Sequence, residues 1–143
     1  MKSKTIESNG VLQTQKLAVN LAKTLIAGDI LCLYGNLGSG KTTFVQSLAK
    51  GLGINKRIIS PTFIMIRQYK INRYNFYHID LYRTKTKEDL LSLGMDEILK
   101  DKNNIIAIEW AENLLDLLPK ERIDLKFEYI NENSRKITIT KLI

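Results

Sequence analysis

The chain has one cysteine, one histidine, one tryptophan and two prolines in 143 residues. A lone thiol, Cys32, cannot close an internal disulfide, which excludes a disulfide scaffold and fits a reducing compartment. Its place inside an apolar run reads as a packed core thiol rather than a reactive one. Pro61 and Pro119 both fall between predicted elements. No apolar stretch approaches the ~18 residues needed to span a bilayer. Residues 5–10 are too polar to form a signal-peptide core. The expectation is a cytoplasmic protein with no membrane partner. There is no internal repeat, low-complexity run or linker, and the length predicts one domain over residues 1–143. A domain of that size buries roughly 68–70 % of its unfolded surface and needs no metal or disulfide staple.

The net charge is +7, from 22 Lys+Arg against 15 Asp+Glu, with a pI near 9.5. Such a balance favours weak, salt-sensitive attraction to nucleic acid or an acidic partner. The lysines are scattered, however, and scattered lysines serve solubility equally well.

Asn9 is a plausible N-cap for a helix carrying Leu17, Leu21 and Leu25 beside Ala18 and Ala22, ending near Gly28. Residues 30–34 read as a buried strand. Residues 41–50 read as a helix with Phe44, Val45 and Leu48 inward and Gly51 at its C-terminal end. Two aromatic-rich segments, 63–69 and 74–81, read as paired strands. Thr86 caps a short helix to Leu93, broken at Gly94 and resumed to Lys100. Residues 104–108 form a second buried strand. A helix with Leu114, Leu117 and Leu118 follows and stops at Pro119. Alternating apolar residues on either side of a turn at 131–134 predict a terminal hairpin. Helices interleaved with buried strands predict an α/β fold: a three-layer domain with a mixed central sheet and a C-terminal antiparallel hairpin.

The densest signal is GNLGSGKT at residues 35–42, a full match to G-x-x-x-x-G-K-S/T with a strand before it and a helix after it. Gly35 lets the chain leave the strand sharply. Gly38 and Gly40 lack the Cβ atoms that keep backbone N–H groups away from phosphate oxygens. Those N–H groups, with Leu37 and Ser39 between the glycines, form an anion nest that runs into a helix N-terminus. Lys41 can reach the β- and γ-phosphates, and the Thr42 hydroxyl can ligate Mg²⁺. The plain alternative is a glycine-rich turn with a solvated lysine, which the completeness of the motif disfavours.

Phosphoryl transfer to water also needs an acid for the metal and a group that orients the water. Asp80 and Glu109 both end predicted strands, where ligands bind in open α/β sheets. Four apolar residues precede Glu109, as in a Walker B strand. Thr62, in Ser60-Pro-Thr62, is a candidate γ-phosphate sensor, although an ordinary turn explains it as well. His78 reads as a packed or capping group. Trp110 can stack on a base or partner, or simply be buried.

Together, GNLGSGKTT at 35–43, SPTF at 60–63, YHIDLYR at 77–83 and IEW at 108–110 resemble the TsaE (YjeE) family. These are small bacterial P-loop ATPases required for threonylcarbamoyladenosine at position A37 of tRNA. The phosphate loop is shared with many NTPases; the H-x-D-L-Y-R block and the E-W pair are more specific. The resemblance implies that residues 37–42 with Lys41 hold ATP, that Thr43 belongs to the same loop, and that Thr42 and Glu109 handle Mg²⁺. It implies that Thr62 lies in a switch-like loop, that Asp80 is needed for hydrolysis, and that Trp110 lies near the nucleotide. It further implies association with the TsaD–TsaB pair, whose reset ATP hydrolysis drives; tRNA is a possible further partner, weak or indirect, and direct contact is left open. Thr14 and Arg135 are the guessed nucleoside contacts. A small-molecule kinase and a non-hydrolysing nucleotide-dependent adaptor remain as alternatives.

Overall fold

The computed structural model describes residues 2–36, 40–56 and 66–143. The readings at Leu37, Gly38, Ser39 and Thr62, and the start of the predicted strand at 63–65, lie outside the described residues.

Two strands anticipated as buried form the middle of the sheet: β2 (Ile30–Tyr34) and β5 (Asn104–Glu109). Their apolar residues run continuously because both faces are covered. Leu31, Leu33, Ile105 and Ala107 join the cluster containing Ala18, Phe44 and Leu48. Ile30, Cys32, Ile106 and Ile108 join a second cluster with Leu90, Met95 and Leu114. One face is therefore covered by α1 (Val11–Ala22) and α2 (Lys41–Gly51). The other is covered by α3 (Lys87–Ser92), α4 (Met95–Lys100) and a 3-10 segment, Ala111–Leu117.

Outside the central pair lie β3 (Ile66–Ile71) and β4 (Tyr74–Asp80) on one side, and β6 (Arg122–Asn131) and β7 (Ser134–Leu142) on the other. With β1 (Lys2–Ser8), the described strands run in the order β1-β7-β6-β2-β5-β4-β3. The inner four are parallel and the flanking pairs antiparallel. This is the mixed three-layer architecture with a C-terminal hairpin that the pattern predicts.

Several local expectations are corrected. β1 has no counterpart in the sequence pattern. It pairs with β7 from Lys2↔Lys141 to Ser8↔Arg135, yet five of its residues are exposed, so no apolar alternation marks it. Asn9 is not the cap of α1: Gly10 occupies that position, and the Asn9 N–H donates to Gln13 Oε1 at 2.7 Å. The helix ends at Ala22, short of Gly28. The helix predicted after β5 is a 3-10 segment broken at Leu115, whose φ of 56° and ψ of −126° interrupt it. Thr86 does cap α3, accepting from the Asp89 N–H at 3.1 Å.

Gly51 stands at the C-terminal end of α2 as expected, as its last helical residue; the left-handed turn is made by Gly53, at φ +94°. Gly51 is required by helix packing. A Cβ there would lie 2.7 Å from Ala22 Cβ and 3.1 Å from Val19 Cα, so α1 and α2 touch through backbone. Gly51→Ala is expected to lower stability by about 1–2 kcal/mol, overpacking outweighing the gain in helix propensity. Denaturant melts of wild type and variant check this, and a stabilised variant would contradict it.

Candidate functional site

The connection from β2 to α2 turns on two glycines in the region L side chains rarely adopt, Gly35 at φ +143° and Gly40 at φ +100°. α2 starts with neither a capping side chain nor an acidic residue in its first turn. Its leading N–H groups and the positive end of its dipole therefore face the loop uncompensated by the helix's own side chains. Such a terminus favours an anion.

Lys41 opens that helix and is only 5 % exposed. Its Nζ donates to the Gly35 carbonyl, folding the side chain back towards the end of β2. The same Nζ stands 4.1 Å from the centroid of the Trp110 ring, a cation–π contact. Burial pushes the Lys41 pKa below its usual value, and Glu109, Glu112 and Asp80 oppose that shift. Trp110 lies directly beyond β5 at φ +57°, a costly conformation for an aromatic residue. Its ring also packs against Tyr82, at 5.0 Å between centroids.

β4 and β5 are parallel neighbours with Asp80 opposite Glu109, so the two acids end their strands at the same height. Phe76 and Ala107 pack into the α1/α2 layer. Strand alternation puts His78, Asp80 and Glu109 on that same face, under the start of α2. Glu109 is 3 % exposed, and both its oxygens are engaged. Thr42 Oγ1 donates to Oε1 at 3.0 Å, and His78 Nε2 meets Oε2 at 2.6 Å. Asp80 Oδ1 accepts from the Tyr82 N–H at 2.9 Å, shaping the turn out of β4.

Among the described residues there is no cluster of three or more His, Cys, Asp or Glu side chains of metal-site form. A resident all-protein metal cage is therefore not formed by them. A hydroxyl and a carboxylate oxygen 3.0 Å apart are hard donors of the kind Mg²⁺ takes when phosphates and waters supply its remaining ligands. The donor set fits that ion.

Of the sequence-predicted residues, the structure brings Lys41, Thr42, Asp80, Glu109 and Trp110 to one end of the sheet. Gly40 and Thr43 also line a neighbouring cavity of about 230 Å³, together with Ser8, Thr14, Asn133 and Arg135. Ser8 and Thr14 meet there through their hydroxyls at 2.7 Å. A larger, open cleft of about 470 Å³ lies at the other end of the strands, beside Asp29, Lys102, Lys120 and Arg122. It contains none of the residues above.

Sequence reasoning places His78 among packed groups and passes over Tyr82 and Ser8. His78 is findable: in a strand ending at Asp80, residue 78 shares its face, and that face is the one Glu109 presents. Tyr82 sits past the strand end, where alternation no longer predicts direction. Ser8 belongs to a strand with no sequence signal.

Residues 8–137 match the family model described as threonylcarbamoyl adenosine biosynthesis protein TsaE. A Rickettsia felis protein described as tRNA threonylcarbamoyladenosine biosynthesis protein TsaE is 42 % identical over 132 residues, covering 92 % of this chain and 76 % of the relative. The Bacillus subtilis protein of the same description is 35 % identical over 140 residues, covering 98 % and 85 %. The crystal structure of Bacillus subtilis YdiB superposes with a TM-score of 0.84 at 32 % identity, covering 99 % of this chain and 87 % of that one. With nearly its whole length matched by the family model, this chain belongs to the TsaE family.

Proposed function

We propose that the protein is a single-domain, cytoplasmic, Mg²⁺-dependent ATPase. In this reading it supports threonylcarbamoyladenosine modification of tRNA at A37 by using ATP hydrolysis to reset a TsaD–TsaB complex between rounds. The observation that carries it is the convergence of Lys41, the Thr42–Glu109 pair and Asp80 on the uncapped N-terminus of α2.

In this reading the ATP phosphates lie in the loop of Leu37, Gly38, Ser39 and Gly40, with Thr62 near the γ-phosphate. Lys41, already desolvated, exchanges the Gly35 carbonyl for phosphate oxygens and regains a strong charge partner. Thr42 and Glu109 would hold Mg²⁺, which when bound neutralises charge on the β- and γ-phosphates. Asp80 accepts hydrogen bonds at the strand end and orients the attacking water. The cavity beside Gly40 and Thr43 takes the nucleoside, with Thr14 and Arg135 in its wall. Trp110 covers Lys41 and limits water access.

Purified protein mixed with ATP and Mg²⁺ tests this. Inorganic phosphate released to water, accelerated by TsaD–TsaB, is the expected result. Phosphate found only on an added metabolite would identify a kinase instead, and binding without turnover, alone or with partners, an adaptor. The single tryptophan beside Lys41 provides a direct emission readout of nucleotide binding.

A further inference from the structure

We propose that His78 is a positioning residue for the metal site, holding the Glu109 carboxylate so that its other oxygen faces Thr42. The inference rests on the ATPase reading above and deepens it.

His78 is completely buried, and polar rings are rarely sealed in a sheet without a partner. Its partner is Glu109 Oε2, at 2.6 Å. A carboxylate accepts and does not donate, so Nε2 carries the proton in this bond. The opposite nitrogen, Nδ1, has no hydrogen-bond partner among the described residues, which makes the Glu109 bond the one polar restraint they place on the ring. The restraint works in both directions. Glu109 is a flexible side chain at the end of a strand, near the Lys41 ammonium that would attract it. Yet Lys41 bonds the Gly35 carbonyl, while Glu109 Oε1 accepts from Thr42 at 3.0 Å.

The parallel register explains how the bond is built. Asp80 stands opposite Glu109, and His78, two residues earlier, lies on the same face opposite Ala107. Alanine is small enough to leave the imidazole room to reach along the strand towards Glu109. A partner behind a metal-binding group commonly changes metal affinity by 10–100-fold when removed, without itself touching the ion.

ADP and ATP affinities measured by calorimetry, with Mg²⁺ and with EDTA, for wild type, His78→Ala, His78→Gln and His78→Asn provide the test. In wild type Mg²⁺ is expected to tighten binding. His78→Ala should lose about tenfold or more of that Mg²⁺-dependent gain. Its affinity in EDTA should stay within about threefold, since the phosphate loop is untouched. His78→Gln places an amide N–H where Nε2 stood and should recover most of the gain; His78→Asn, one bond shorter, should not. On a Glu109→Gln background, adding His78→Ala should cost little further.

Equal losses with and without Mg²⁺ would mean a merely structural histidine and overturn the proposal, as would an unchanged His78→Ala. If the alanine variant does not fold, the glutamine–asparagine contrast decides the same point, and indistinguishable amides sink the idea. Wild-type protein that binds no nucleotide under either condition would overturn the ATPase reading and this inference with it. Wild-type binding with a normal Mg²⁺ gain in His78→Ala leaves the ATPase reading standing and removes only the role of His78.

Discussion

Lys41→Met is expected to weaken ATP binding by about a hundred-fold while leaving the nucleotide-free protein within about 1 kcal/mol of wild-type stability. The first figure is the loss of charge-assisted hydrogen bonds to phosphate, at about 1.5–3 kcal/mol. The second follows from opposing terms. Lys41 is buried as a residue, and burial lowers its pKa despite Glu109, Glu112 and Asp80 nearby. Its bond to Gly35 and its contact with Trp110 offset part of that desolvation. Methionine removes both sides of this balance and keeps apolar packing against the indole. The pH dependence has a definite sign. Because the folded-state pKa of Lys41 is depressed, the unfolded chain binds more protons between that value and the ordinary 10.5. The stability of wild type relative to Lys41→Met should therefore increase as pH rises through that window. Urea melts at neutral and alkaline pH measure it, and a relative stability that falls with rising pH would contradict the desolvated ammonium.

Lys41 also shows why a phosphate-binding loop is legible in a sequence while much around it is not. The loop motif is contiguous, so its glycines, lysine and threonine appear in one window whatever the rest of the chain does. The buried strands are almost as plain: β2 and β5 are apolar at nearly every position because both faces are covered. Glu109 is recognisable for the same reason, as the first charge after four apolar residues. The relations that assemble the site are different in kind. Asp80 opposite Glu109 is a register between strands 29 residues apart in sequence, and no local pattern encodes it. The bond from His78 to Glu109 depends on that register and on Ala107 being small. β1 leaves no trace because its stability comes from pairing with β7, at the far end of the chain, rather than from burying apolar side chains. The packing role of Gly51 is hidden for a related reason. A glycine near a helix end normally signals termination, but here the constraint comes from Ala22 and Val19 on another helix. Contiguous chemistry and two-sided burial are local properties; register and close helix contact are not.

Glu109→Gln separates the chemistry of the site from its stability more cleanly than truncation does. Glutamine keeps the volume and one acceptor oxygen for Thr42, and its amide can face His78 if the imidazole shifts its proton to Nδ1. The expected cost is about 1 kcal/mol, because that shifted proton then lies at a buried nitrogen with no partner among the described residues. Glu109→Ala would leave Thr42 and both nitrogens of a fully buried ring unpaired, so about 2–5 kcal/mol of destabilisation would be confounded with any loss of activity. What glutamine cannot supply is the negative charge. If that charge holds Mg²⁺ against the phosphates, ATP turnover should fall by about 10²–10³-fold, the size expected for losing one preorganised electrostatic group. Nucleotide affinity in EDTA should be nearly unchanged, because Lys41 and the loop remain. Asp80→Asn, which keeps the acceptor for the Tyr82 N–H, should lose turnover to a comparable extent while retaining the Mg²⁺-dependent gain in affinity. The two acids then have distinguishable signatures: Glu109 controls both metal affinity and rate, and Asp80 the rate alone. Phosphate-release assays paired with calorimetry make that comparison. Normal turnover in Glu109→Gln would remove the carboxylate from the chemistry and leave it as the hydrogen-bond hub of a strand end.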